Sequence, residues 1–284
     1  MRGERRLGSV LCGLLMAVHG GTSQAAPVAS AAAPTDARLA FEGGMESFRW
    51  REFDDDGHRL LTEQGPRFAL GAALGNFLHA DSGPIFEMRL GGHLGEVDYD
   101  GQDNNGRFVG TVSDYSGWYG EVNGGYRFPD FVEGVSIDLF GGVGLDNWRR
   151  EINGGVNSIG QSVAGFTEDY DVAYLRCGIG IALHGASPGG YFQLGFRKPR
   201  SIGEQVAIQG QTIDLSPDER ASGFLSYQVA LGAPRAEGAA GAYVRFYYAG
   251  YRLGKSEIEQ VGSSQVWQPR SEVDTLGVVL GFHY

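Results

Sequence analysis

Acidic and basic side chains recur at alternating positions along this chain. Glu42, Glu46, Glu87, Glu121, Asp138 and Asp146 supply carboxylates. Arg67, Arg89, Arg127, Arg176, Arg197 and Arg245 supply guanidinium groups, with His93 among them. Most sit in runs where polar and apolar residues take turns. A period of two places them on one face of a pleated ribbon. If that face is enclosed, the opposite charges should pair. Bidentate arginine–carboxylate bonds would then tie strands together and fill the space between them. In an open bore the same ladder would be a charged constriction that selects solutes. The balance of signs favours the plug. Desolvation offsets much of the attraction, so the ladder need not add net stability.

Hydrolytic chemistry needs a nucleophile, or a base with an orienting partner. Beyond the N-terminal region the histidines are His58, His79, His93, His184 and His283. His93 with Glu121 would make a base–carboxylate pair. No serine motif accompanies it, so a lumen histidine satisfied by its neighbours is the plainer expectation. Asp98-Tyr99-Asp100-Gly101-Gln102-Asp103 gathers oxygen ligands as calcium loops do. It lacks the regular Asp-x-Asp-x-Asp-Gly spacing and the distal Glu. Asp98, Asp100 and Asp103 are therefore a weak candidate for a cation, and neither a metal nor a cofactor is expected. Asp54-Asp55-Asp56 reads as a solvated loop tip. Cys177 reads as an inert small apolar residue. Gly142-Val143-Gly144 and Gly178-Ile179-Gly180 are not phosphate loops, because no helix follows them.

The elements that must hold these residues are strands. In one stretch Phe86, Met88, Leu90 and Leu94 alternate with Glu87, Arg89 and His93. In another, Ile137, Leu139, Val143 and Leu145 alternate with Asp138, Gly142, Gly144 and Asp146. Such runs predict strands at roughly 38–53, 59–78, 85–100, 114–128, 135–151, 171–184, 191–204, 220–232, 241–256 and 270–284. The even links are short and turn-like; the odd links are mostly longer and polar or acidic. Short turns at one end and longer loops at the other are the layout of an outer-membrane barrel. The predicted fold is all-β: a transmembrane, antiparallel, up-and-down barrel of about ten strands, with eight to twelve as the range. Trp118, Tyr126, Phe128, Phe192, Phe196, Tyr243, Phe282 and Tyr284 are expected at the interfaces as aromatic girdles. Arginine at position 279, on the lumen face, should be tolerated better than arginine at 278, on the lipid face.

Composition agrees. The 284 residues carry 23 Lys+Arg against 34 Asp+Glu, a formal charge of −11. That is a poor start for holding phosphate backbones, so no nucleic-acid partner is expected. Glycine is 47 of 284, well above ordinary usage, without a Gly-X-Y period. Glycine on the polar face suits a narrow lumen, where large neighbours would collide. With 16 Phe, 13 Tyr and 4 Trp the chain is too aromatic to be disordered.

Both termini carry addresses. Residues 1–25 have a basic start, an apolar stretch and a Ser23-Gln24-Ala25 exit, the layout of a cleaved signal peptide. Residues 26–36 read as a flexible leader, and 37–284 as the barrel. The chain closes on Thr275-Leu276-Gly277-Val278-Val279-Leu280-Gly281-Phe282-His283-Tyr284. This resembles the C-terminal sorting signal of Gram-negative outer-membrane β-barrel proteins. Thr275, Gly277, Leu280 and Phe282 match its polar-x-Gly-x-x-apolar-x-apolar pattern, and Tyr284 is the terminal aromatic. The resemblance implies an outer-membrane location. It also implies barrel-assembly machinery, outer-membrane lipids and lipopolysaccharide as partners, with any small-molecule ligand left open. In strand number the chain is similar to the omptin proteases. Those carry an acidic pair and an Asp–His pair at the extracellular rim. Asp98 and Asp100 could imitate the first pair; the one histidine in a predicted outer loop, His58, follows Gly57 in the Asp56-Gly57-His58 tip, and proteolysis is not carried over. The expected function is non-enzymatic: a narrow solute pore, or a surface-structure or adhesion protein with a charge-paired lumen. The alternative is an outer-membrane hydrolase, omptin-like or lipid-modifying, that uses outer-loop acids and His93.

Overall fold

The computed structural model describes residues 37–77, 80–103, 105–183, 189–208, 210–231, 240–261 and 264–284. The expected signal peptide and leader, with His79 and His184, lie outside the described residues. Alternation over long runs builds ten barrel strands. They are β1 (Arg38–Phe53), β2 (Arg59–Gly75), β3 (Gly83–Gln102), β4 (Phe108–Val132) and β5 (Val135–Ile152). Then follow β6 (Phe166–Leu183), β7 (Gly190–Ile208), β8 (Ser222–Leu231), β9 (Gly241–Leu253) and β10 (Arg270–His283). Each pairs antiparallel with the next. β1 pairs with β10 from Ala40↔His283 to Phe53↔Arg270, which closes the ring. Closure leaves the main sheet without edges, which a barrel in lipid requires. Shorter strands decorate the loop end, including Gly155–Asn157 against β4 and Gln211–Leu215 against β7.

The turn between β4 and β5 is tight. Gly134 at φ 75° supplies a backbone conformation that few other residues adopt readily. At the opposite end the hairpin tip Asp54–His58 uses Gly57 at φ 85° in the same way.

Outward side chains change character along each strand. On β2, Phe68, Leu70 and Leu74 are exposed, and then comes Gln64. On β3, Met88, Leu90 and Leu94 give way to Glu96, Asp98 and Asp100. On β5, Leu139, Val143 and Leu145 give way to Asn147, Arg149 and Glu151. On β10, Leu276, Val278, Leu280 and Phe282 are all exposed on the same face. The barrel therefore wears an apolar belt next to the short turns and a polar collar toward the loops. Large apolar areas left open in this way mark a surface made for an apolar medium. The collar is laced by ion pairs on its outside: Arg51 with Asp274 at 2.7 Å, Arg252 with Asp274 at 2.7 Å, and Arg149 with Asp169 at 2.7 Å.

Inside the collar the apolar residues face the axis. Phe48, Trp50, Val97, Tyr115, Trp148, Tyr170, Val172, Tyr174, Ile202, Tyr251, Leu253 and Val273 form one buried cluster. The strands accordingly run further than the sequence suggests: β4 begins at Phe108, β6 at Phe166, and β7 extends to Ile208. One expected girdle residue is corrected. Tyr243 points inward, 3% exposed, and its hydroxyl donates to Glu42 at 2.8 Å. It is a lumen residue because it falls on the inner phase of β9, beside Arg245.

Candidate functional site: the lumen and its two closures

Inward positions in the belt carry the charge ladder, and every member points into the lumen. At the turn end Arg127 and Asp138 face each other across β4 and β5. Arg127 Nε and Nη2 donate to the two Asp138 oxygens at 2.8 and 2.7 Å. Neither residue is exposed at all. The segment after β2 folds under the barrel, so Phe77 and Ala80 present carbonyls to the same guanidinium, each at 2.5 Å. Tyr191 OH donates to Asp138 at 2.7 Å. Phe77, Phe140, Tyr191 and Phe224 pack around the pair and complete a floor. Every polar group of this pair has a partner, which a buried ion pair needs in order to be tolerated.

Above the floor, Glu42 takes Arg245 Nε at 3.0 Å and Arg89 Nη1 at 2.5 Å. Arg89 also reaches Glu87 at 2.9 Å. Glu121 accepts from Arg176, from Arg197 at 3.1 Å and from Tyr174 OH at 2.6 Å. Arg67 pairs with Glu46 at 2.7 Å. Asp146 is held by Tyr251 OH at 2.7 Å. Between these groups lies a chamber of about 120 Å³. Inward glycines make room for rings that lie across the bore. A Cβ at Gly277 would fall onto the Tyr247 ring, and one at Gly144 onto the Tyr174 ring.

The expected base–carboxylate pair does not form. Glu121 is occupied by two arginines and a tyrosine, and His93 Nε2 has no partner. His93 stands across from Gly117, whose missing side chain leaves room for its ring. The acidic motif is also divided. Asp98 and Asp100 point outward from the collar while Tyr99 between them is buried, as a strand dictates. Asp98, Asp100 and Asp103 do not converge on a common point. Asp103 instead organises its own turn. The Arg107 backbone amide and the Asn157 side-chain amide hold its carboxyl below the usual carboxylate range. Among the described residues, Asp54, Asp56 and His58 do approach one another at the β1–β2 tip, but His58 is already bound to Asp54 at 3.2 Å.

A roof closes the lumen at the level of the collar. Trp148 stacks on Tyr170 with centroids 4.9 Å apart, and Trp50 and Tyr251 pack at 5.4 and 5.6 Å against this pair. Above the rings lies a group that the ladder did not include: Arg150 with Glu52, Glu63, Glu168 and Glu204, all 7% exposed or less. Arg150 donates to Glu63 at 2.9 Å, Glu52 at 2.9 Å and Glu168 at 2.7 Å. These residues sit on the inner phase beyond the belt. Glu63 is opposite Trp50, and Arg150 is opposite Tyr115 and Glu168. The signal that finds them is the apolar run itself, which changes phase between Met45 and Phe48 on β1 and between Leu145 and Trp148 on β5.

No family model matches the chain, and no curated protein sequence matches it. Solved structures do. The outer membrane protease OmpT of Escherichia coli superposes with a TM-score of 0.58 at 11% identity, over 88% of this chain and 97% of that one. The translocator domain of the autotransporter NalP from Neisseria meningitidis aligns at 10% identity over 86% and 88% of the two chains, with a TM-score of 0.44. Ail, the attachment invasion locus protein of Yersinia pestis, aligns at 12% identity over 88% and 100%, with a TM-score of 0.24. At such identities the likeness is one of architecture. A closed ring of ten antiparallel strands, apolar outside and charge-paired within, gives this chain the fold of the outer-membrane β-barrels.

Proposed function

We propose that the protein is a sealed surface barrel of a Gram-negative outer membrane: a surface-structure or adhesion protein rather than an open solute pore. The observation that carries this reading is the double closure of the lumen. Arg127 and Asp138 are wholly buried in the floor, and Arg150 and Glu63 wholly buried in the roof. Ions cannot pass a bore whose charges are already paired and whose gaps are filled by rings. The belt matches a bilayer interior, and the C-terminal strand carries the residues of the sorting pattern, which supports assembly machinery and lipopolysaccharide as partners. The loop side then offers the working surface. It carries exposed apolar side chains, Phe108, Val156, Ile159 and Trp267, of the kind found at contact surfaces. The hydrolase alternative loses support, because His93 lies under the roof while Asp98 and Asp100 face outward.

The test is single-channel recording of the purified protein in planar bilayers, in mildly acidic buffer. The sealed barrel gives no conductance steps above baseline. Regular steps in that buffer would restore the pore.

A further inference from the structure

Buried charge does not balance in the collar. Glu52 comes from β1, Glu63 from β2, Glu168 from β6 and Glu204 from β7, and they surround the single guanidinium of Arg150 from β5. The other strands contribute no positive charge to this group. β3 presents Tyr99, and β4 presents Ser113 and Tyr115, both hydrogen-bonded to Glu63. β6 adds Tyr170, whose hydroxyl donates to Glu168 at 2.9 Å. The approach to β10 adds Gln268, with its amide nitrogen 3.0 and 3.2 Å from the two Glu204 oxygens and its carbonyl accepting from Ser271. One layer below, Arg67 is taken by Glu46, with its guanidinium 4.0 Å over Phe48 and 5.8 Å over Tyr115. Four ionised carboxylates around one arginine would leave a large net negative charge away from water. Sites of this kind retain protons instead.

We propose that this cluster is a proton-controlled lid, in which the Glu52 and Glu204 carboxyls hold the collar shut over the lumen chamber while they keep their protons and loosen it when those protons leave. The inference rests on the sealed-barrel reading. Its mechanical link is direct: Arg150 lies 4.9 Å over the Trp50 ring, and Trp50 Nε1 donates to Glu52 at 2.9 Å, so the cluster and the roof share side chains. Burial pushes the Glu52 carboxyl up to about 7 against the pull of Arg150, with Glu168 and Glu63 adding to the rise. Burial, then the neighbouring Glu168, pushes Glu204 well above the ordinary carboxylate range. A carboxyl raised in the folded state stabilises that state in acid. The contribution fades as pH rises from the unfolded value through the folded one. The lid is therefore tightest in acid and loosens from neutral pH upward.

Two readouts test this on the full barrel in bilayers and in detergent. A background with Trp118→Phe and Trp267→Phe leaves Trp50 and Trp148 as the reporting indoles. Acrylamide quenching of the roof tryptophans should rise about threefold from mildly acidic to mildly alkaline buffer, as the carboxyls lose protons. The Arg127–Asp138 floor stays closed throughout, so the bilayer recordings should stay silent at every pH while the roof loosens. The variant Glu52→Gln/Glu204→Gln, which mimics the protonated groups permanently, should lose the pH step in quenching and stay shut. Flat quenching across this pH range would overturn the lid and leave the sealed barrel standing. A pH step that survives in the double glutamine variant would also overturn it. Conductance already present in acid would overturn the sealed reading itself, and the lid with it.

Discussion

Arg127 and Asp138 show what a single buried contact contributes here. Every nitrogen of the guanidinium donates: two bonds go to the carboxylate and two to the Phe77 and Ala80 carbonyls. Arg127→Met should strand a buried carboxylate and remove the clamp on the turn below β2, costing about 3–5 kcal/mol. Urea unfolding followed by the heat-dependent gel shift would report it; an unchanged midpoint would contradict the floor. Glu52 makes a prediction of opposite character. Its carboxyl is raised by burial to about 7, so wild-type stability should fall as pH climbs from the mid-acid range to neutrality, and Glu52→Gln should flatten that part of the profile. The ladder residues were legible individually from alternation, since Glu42, Glu121 and Arg245 fall on the polar phase of their strands. Their pairing was not. That Glu121 takes Arg176 and Arg197 from β6 and β7, and leaves His93 alone, depends on which strands face each other across the bore, and no local pattern encodes that.

Strands give the next scale, and their telling feature is a change of phase. On β1 the apolar side chains are at Phe41 and Met45 and then at Phe48 and Trp50. On β6 they are at Leu175 and Ile179 toward the turn end and at Tyr170 and Val172 toward the loops. The facing never changes; the medium outside does. Within the belt, lipid takes the apolar face. In the collar, water surrounds the wall and the apolar side chains turn to the axis. A reading that kept one phase throughout placed the strands correctly but stopped β4, β6 and β7 short of their loop ends. Two substitutions on one face of β2 test this. Leu70→Arg, 67% exposed in the belt, should cost roughly 2–4 kcal/mol of folding free energy in bilayers, whereas Gln64→Arg in the collar should change little. Equal folding yields would put the belt in the wrong place. The comparison of arginine at 278 and 279 separates the faces less cleanly. Val279 is indeed inward, but its register partner on β9 is Arg245, so a second cation there meets like charge as well as tight packing. Gly277→Val probes the close approach inside β10. The added branches meet the Tyr247 ring and should destabilise by roughly 1–3 kcal/mol, visible as a lowered unfolding midpoint.

At the scale of the whole molecule, ten strands closed between β1 and β10 explain why the sequence was informative about architecture and silent about a ligand. Barrel closure needs only alternation, turn chemistry and an even strand count, and all three are written locally. The floor, the chamber and the roof are products of closure, assembled from residues as distant in sequence as Glu42 and Arg245. The account stands on the orientation of the wall: apolar side chains toward lipid within the belt, charged ones toward a filled axis. Nitroxide labels placed one at a time from position 68 to position 74 of β2, in bilayers, measure this directly through collisions with oxygen and with a water-soluble nickel chelate. Labels replacing Phe68, Leu70, Ala72 and Leu74 should show high oxygen accessibility, and those replacing Ala69, Gly71 and Ala73 low accessibility to both reagents. Uniform exposure to the nickel chelate, or an oxygen pattern with the opposite phase, would contradict it.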